Sequence, residues 1–378
     1  MRCQKTKFIL SKKVTYLNCA YMSPMLKKVE KAGVKGIKQK RKPYHITPID
    51  FFKTSDLVKK RFSSIIDCKN HNRIAIIPSA SYGLANVVNN ISIKEKDEII
   101  LLDEQFPSNV YPWLNLKERS KAKLVFIKRP DTLIDSGKKW NEEILAAITN
   151  KTKVVAIGNI HWACGTLIDL IAIRKKTAEV GALLIIDGTQ SIGALPLSIE
   201  KIQPDALICA GYKWLMGPYS IGVAYYGNYF DKGIPIEDNW INRRGSENFS
   251  GLINYSDKYG ELASRYNVGE QSNFILLPML LAGLNQIESW GVKNIQDYCK
   301  NLISEEIKKV NQKKYWIEKE NYRANHLFGI KQLDNKINLI EKLKSKKISV
   351  SIRGDKIRVS PHVYNDKREI KKLFECLT

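Results

Sequence analysis

Between about Asn72 and Gly227 the chain alternates short Val/Ile/Leu-rich runs with stretches of helical periodicity. That alternation restricts the fold more than any other feature. The runs are Ile74–Pro78, Glu98–Leu102, Lys123–Ile127, Val154–Ile157, Leu183–Ile186, Ala206–Cys209 and Gly222–Tyr226. The helical patterns between them include Tyr82–Asn90, Asn141–Ile148 and Ile168–Val180. Continuous apolar strands separated by helices predict a mostly parallel sheet covered on both faces, an α/β architecture. In such sheets a ligand binds beyond the carboxyl ends of the strands.

After about Gly269 the pattern changes. A long helix is expected over Pro278–Trp290, then further helices, short strands near Phe328–Lys331 and Ile348–Ile352, and a last helix over about Asp366–Cys376. Ser351 to Arg358 reads as a hairpin with Gly354-Asp355 at its turn. The expected organisation is a large domain over residues 16–265 and a smaller α/β domain from residues 1–15 and 266–378. A chain of 378 residues with 44% hydrophobic side chains suits two packed domains with a sizeable core.

Two strand ends carry chemically costly residues. Asp187 closes the run from Ala182, in Leu184-Ile185-Ile186-Asp187-Gly188-Thr189-Gln190-Ser191. Lys213 closes the run from about Ala206, in Cys209-Ala210-Gly211-Tyr212-Lys213-Trp214-Leu215. A carboxylate and an amine so placed suit pyridoxal phosphate: the amine can form an imine with its aldehyde, and the carboxylate can keep its pyridine nitrogen protonated. Taken singly, Lys213 could be a surface lysine at a strand end and Asp187 a turn cap. Ser79-Ala80-Ser81-Tyr82-Gly83 follows a strand and opens a helix, where backbone N–H groups can approach a phosphate. The plain alternative there is an ordinary serine N-cap.

These motifs together resemble the class V aminotransferase group of fold-type I pyridoxal-phosphate enzymes, from Tyr16-Leu17-Asn18 to Arg358-Val359-Ser360-Pro361-His362. That group includes aminotransferases, cysteine desulfurases, kynureninases and isopenicillin N epimerase-like proteins. The resemblance implies a large domain with a mostly parallel seven-stranded sheet and a smaller C-terminal domain. It implies that Lys213, followed by Trp214 and the Gly217-Pro218 turn, is the catalytic lysine, and that Asp187 pairs with the pyridine nitrogen. Gln190 and Asn159 would contact the cofactor's phenolic oxygen, Ala80, Ser81 and Tyr212 its phosphate, and Phe106 would stack on its ring. Arg358 would hold a substrate carboxylate, with Arg353 a second candidate. Gln271 and Ser272, in Gly269-Glu270-Gln271-Ser272-Asn273-Phe274, match a segment that reaches the partner's phosphate in family dimers, so a homodimer with shared sites is implied.

Two departures narrow the chemistry. Cysteine desulfurases carry a nucleophilic cysteine on a loop between the arginine-bearing strands; here only Gly354-Asp355-Lys356-Ile357 joins Arg353 to Arg358. Where desulfurases usually place a histidine against the cofactor ring, this chain has Phe106, which moves no protons. Cys164, in His161-Trp162-Ala163-Cys164-Gly165, reads as a small buried residue, and His161 and His362 as acid/base candidates or structural histidines. Aminotransfer on an amino-acid-like substrate is the first expectation, with C–S or other β-elimination, or epimerisation, as alternatives.

The remaining features bound partners and location. The seven cysteines are scattered without a C-x-x-C pair, so neither a zinc site nor a disulfide framework is expected. The longest apolar run, Phe274–Leu284, contains Pro278 and Gly283 and is too short to span a bilayer. No signal-type apolar stretch follows the basic Met1-Arg2-Cys3-Gln4-Lys5, and a cytoplasmic location with no membrane partner is expected. The net charge of +24 raises a second class of function, a non-catalytic protein binding nucleic acid or an acidic partner. Its densest groups, Lys35–Lys42 and Lys342–Lys347, carry little aromatic interleaving, and no nucleic-acid partner is expected.

Overall fold

The computed structural model describes residues 1–334 and 338–377. Its strands in chain order are β1 (Thr15–Tyr16), β2 (Ile74–Ile77), β3 (Glu98–Leu102), β4 (Lys123–Ile127), β5 (Thr152–Gly158), β6 (Leu183–Asp187), β7 (Ala206–Ala210), β8 (Gly222–Tyr226), β9 (Tyr315–Ile317), β10 (Phe328–Gln332), β11 (Ile348–Ser349), β12 (Ser351–Arg353) and β13 (Lys356–Val359). The helices are α1 (Lys27–Gln39), α2 (Asp50–Ile65), α3 (Ala80–Asn89), α4 (Tyr111–Ser120), α5 (Ser136–Ala147), α6 (Leu170–Val180), α7 (Ile199–Ile202), α8 (Leu276–Trp290), α9 (Val292–Ile307), α10 (Leu339–Ser345) and α11 (Lys367–Phe374).

Strands β2 to β8 form one seven-stranded sheet in the order β2-β8-β7-β6-β5-β3-β4. Only β8 runs against its neighbours, β2 and β7. The mostly parallel sheet expected from the apolar runs is therefore present. Because β-strand side chains alternate faces, each strand feeds two separate cores. Ile76, Ile100, Val155, Ile157, Ile186 and Leu207 join α2, α5, α6 and α8 on one face. Ile77, Ile99, Val154, Ile185 and Ile208 meet Leu84 and Val87 of α3 and Trp113 of α4 on the other. Burial on both faces is why these strands read as unbroken apolar runs.

A second, four-stranded antiparallel sheet has the order β12-β13-β10-β9. Its core joins Phe328, Ile330, Ile357 and Val359 to Ile303 of α9 and Ile370 and Phe374 of α11. The chain's start ties in here: β1 pairs in parallel with β11, and Ser360 N donates to Leu17 O at 2.8 Å. The hairpin turn is Gly354-Asp355, with Gly354 at φ +56°. This turn directs β13, and with it Arg358, back toward the carboxyl edge of the large sheet. Among the described residues no helix is long and apolar enough to cross a membrane.

Candidate active site

Five strand ends of the large sheet open onto one cavity of about 230 Å³. Its wall includes Ser79, Ala80 and Ser81 after β2, Gln105 and Phe106 after β3, His161 and Trp162 after β5, Asp187 at the end of β6, and Tyr212 and Lys213 after β7. This is where a parallel sheet presents a ligand site.

Lys213 is only 4% exposed. The turn that holds it is closed by Met216 N donating to Lys213 O (3.2 Å) and Gly217 N donating to Gly211 O (2.9 Å), with Met216 in the left-handed region at φ +55°. Burial pushes the amine down most strongly; Asp187 pulls it back up and Arg358 pushes it down again, leaving it at about 8. A much larger share of the amine is thus neutral near pH 7 than for a free lysine. Its Nζ lies 5.2 Å from the centre of the Phe106 ring and 5.3 Å from that of Tyr212.

Asp187 Oδ1 accepts from Thr189 N at 3.0 Å, which fixes the carboxylate at the mouth of β6. Gln190 is held by its surroundings. Trp214 Nε1 donates to its Oε1 (2.9 Å) and its Nε2 donates to Ala20 O (3.1 Å). His326 Nε2 donates to the Gln190 carbonyl (2.9 Å), and Gln296 Nε2 lies 2.9 Å from His326 Nδ1. This chain of bonds settles which way the Gln190 amide points and leaves its second Nε2 hydrogen free. Ser79 caps α3 by accepting from Tyr82 N at 3.1 Å. The serine cap is real, and it still leaves the first-turn N–H groups of Ala80 and Ser81 for a ligand at the cavity wall.

A second cavity, of about 420 Å³, adjoins the first and shares Phe106, Trp162, Tyr212, Lys213 and Tyr219 with it. Arg353 and Arg358 line its far side. Arg358 is 1% exposed; its Nη1 donates to Trp162 O at 3.0 Å and its Nε has no partner. Arg353 donates to Ile352 O and also has an unpartnered Nε. Their guanidinium carbons lie 5.7 and 5.4 Å from the Trp162 ring centre. Neither makes an ion pair among the described residues, and burial together with Arg353 brings Arg358 down to about 9. One buried and one half-buried cation without a counter-charge suit an anionic ligand.

Three of the expected residues do not line this chain's cavities, and two of them, Gln271 and Ser272, are expected at a partner's site. Asn159 is buried directly after β5, but it does not line the cavity; Ile160, His161 and Trp162 do. Gly158 and Ile160 on either side of it line the cavity, and its own Oδ1 is buried without a partner. Gln271 and Ser272 are buried, 4% and 6% exposed, and line neither cavity. The structure adds Gln105, Ser108, His161, Trp162, Tyr219 and Ser220 to the first cavity and Tyr21 and Met22 to the second. His161 stands out in the sequence as a possible acid/base group; the others are loop residues with no local signal.

The residues present fit pyridoxal phosphate: a buried, partly neutral amine, a fixed carboxylate, a flanking aromatic ring and unpaired N–H groups at a helix start. Residues 44–373 match the family model of class-V aminotransferases. The chain belongs to the class-V aminotransferase family. It is therefore a pyridoxal-phosphate-dependent enzyme. It is 22% identical over 334 residues to an uncharacterized aminotransferase, YcbU, of Bacillus subtilis, covering 85% of this chain and 82% of that protein. It is 29% identical over 221 residues to a probable cysteine desulfurase of Borreliella burgdorferi, covering 57% of this chain and about half (49%) of that one. The fold matches the cystine C–S lyase C-DES in complex with its product cysteine persulfide with a TM-score of 0.84, at 18% identity and 97% coverage of both chains.

Proposed function

We propose that this enzyme acts at the α-carbon of an amino-acid-like substrate, with transfer of the amino group as its principal reaction. The observation that carries the reading is the position of Lys213, buried where the cofactor-shaped cavity meets a cavity lined by two unpaired arginines. When bound, pyridoxal phosphate supplies an aldehyde that captures amines and a ring that draws electron density from the α-carbon. Lys213 would supply the attaching amine and afterwards take the α-proton on Nζ. Asp187 would keep the ring nitrogen protonated, Gln190 Nε2 would donate to the phenolic oxygen, and Phe106 would pack against the ring. Ala80, Ser81 and the Tyr212 hydroxyl would hold its phosphate. Arg358 holds the substrate carboxylate, with Arg353 beside it, and the aromatic wall of Tyr21, Trp162 and Tyr219 favours an apolar or aromatic side chain.

A β-elimination is the second reading. His161 supports it, since a proton carrier in the cavity wall suits a departing β-substituent. Persulfide transfer is unsupported: no cysteine lines either cavity, and among the described residues Cys3 alone is exposed. We also propose a cytoplasmic homodimer in which Gln271 and Ser272 lie near the partner's site. The exposed group Trp240 (40%), Leu252 (36%), Ile253 (82%) and Tyr255 (97%) supports pairing of two copies, and light scattering in solution tests it.

The experiment for the activity is incubation of the cofactor-loaded protein with single amino acids, with and without a 2-oxo acid. Amino groups appearing on the 2-oxo acid support the principal reading. Ammonia and a pyruvate-type product without transfer establish elimination in its place.

A further inference from the structure

The cavity wall contains a histidine whose surroundings are more specific than a structural role requires. His161 is 4% exposed, lines the first cavity, and its buried Nε2 has no hydrogen-bond partner. Its Nδ1 lies 3.2 Å from Cys164 Sγ, and that sulfur lies 3.2 Å from Thr166 Oγ1. The turn is rigid. His161 N donates to Thr166 O (2.9 Å), Gly165 N donates to His161 O (2.8 Å), and Ile160 bridges Leu167. Trp140 packs against the imidazole with ring centres 5.1 Å apart.

The sulfur decides what the free nitrogen carries. If the thiol donates to Nδ1, the ring's own hydrogen sits on Nε2. If the thiol has given its proton to the ring, both nitrogens carry one. In both forms Nε2 carries a hydrogen that has no partner in the protein, whereas the third arrangement the contacts allow, Nδ1–H donating to the sulfur, leaves Nε2 bare. We propose that His161 is a second proton carrier of this site and Cys164 the positioning residue that keeps its Nε2–H turned to the ligand. Nε2 gives its proton to a basic atom of the bound substrate, Nδ1 keeps or takes the proton shared with Cys164 Sγ, and the pair, one proton short, regains it from solvent as product leaves.

The charges around the pair support this assignment. Burial pushes the Cys164 thiol up, but His161, Arg129 and the Thr166 hydroxyl outweigh it and bring the thiol to about 6. The charged groups facing the pair are Arg129 and its partner Glu318 on the protein side, at 3.3 Å from each other, and Lys213 and Asp187 across the cavity. Phe106, whose ring contacts Trp162, carries no titratable proton, so this pair adds a second acid/base group to the site beside Lys213.

The inference rests on the proposed function, and one protocol separates their failures. The chain has five histidines, so histidine-selective ¹⁵N labelling resolves their ring nitrogens, and His161→Gln assigns one set. The labelled protein is first loaded with pyridoxal phosphate; a protein that does not load contradicts the cofactor reading before His161 is read. In loaded protein, adding L-alanine should shift His161 Nε2, and Cys164→Ser should change the tautomer or the protonation midpoint of that ring, whereas Cys68→Ser should not. His161→Gln should slow turnover by roughly 10²- to 10⁴-fold with little change in KM. An Nε2 resonance that ignores L-alanine in the loaded protein overturns the proposal. So does a Cys164→Ser protein with wild-type ring protonation and a wild-type pH–rate profile.

Discussion

Lys213→Met should make the cofactor-free protein more stable at neutral pH, and the gain should vanish in alkali. Lysine's ordinary value is 10.5, and the buried amine sits at about 8. That drop of about 2.5 corresponds to about 3 kcal/mol favouring the neutral amine over the charged one in the folded state. Between pH 8 and 10.5 the unfolded chain therefore binds more protons at this side chain than the folded chain does. Folding stability contributed by Lys213 rises over that window, and below pH 8 the residue costs up to about 3 kcal/mol. Methionine fills similar space without the charge. Urea denaturation of both cofactor-free proteins at pH 6 to 10 measures the difference, with equal m-values confirming that only stability has changed. The expected result is a Met variant about 2–3 kcal/mol more stable at pH 7, converging with wild type above about pH 10. A pH-independent difference, or a less stable variant at pH 7, refutes the argument that burial has forced this amine toward neutrality.

Arg358→Lys keeps the charge but loses the planar fork, so KM for an amino-acid substrate should rise by roughly 30-fold, about 2 kcal/mol, in steady-state assays. Gly165→Ala should cost about 3 kcal/mol or more in denaturant melts, because Gly165 sits at φ +73° and a Cβ there would lie 2.0 Å from Leu327 O. Ser79→Ala removes the cap on Tyr82 N and should cost about 1 kcal/mol; cofactor titration should show weaker binding, since the cap holds the α3 start against the phosphate position.

The inner strands of the large sheet are legible because burial on both faces leaves no polar alternation to confuse them: Glu98–Leu102 and Gly222–Tyr226 are found at the expected bounds, as is the half-exposed edge strand Lys123–Ile127. The hairpin at Gly354-Asp355 is equally plain, because its turn chemistry is local. The edge strand Tyr315–Ile317 leaves no such pattern: it pairs on one side only and is half-buried beyond Tyr315. The run expected over Ile348–Ile352 divides into β11 and β12 because Ile348 and Ser349 turn aside to pair with Thr15 and Tyr16 from the far end of the chain. The site divides the same way. Asp187 and Lys213 announce themselves by ending apolar runs. Tyr21, Met22 and Tyr219 reach the second cavity only through tertiary folding, and no local signal marks them. After β5, Gly158, Ile160, His161 and Trp162 line the cavity while Asn159 between them does not, a distinction that depends on the turn and not on motif spacing.

The account depends on Lys213 being the lysine that carries the cofactor. Purified protein loaded with pyridoxal phosphate should be yellow, and borohydride followed by peptide mass spectrometry should place the reduced cofactor on Lys213, with Lys213→Ala neither coloured nor labelled. A colourless protein, or label on another of the chain's lysines, contradicts the assignment.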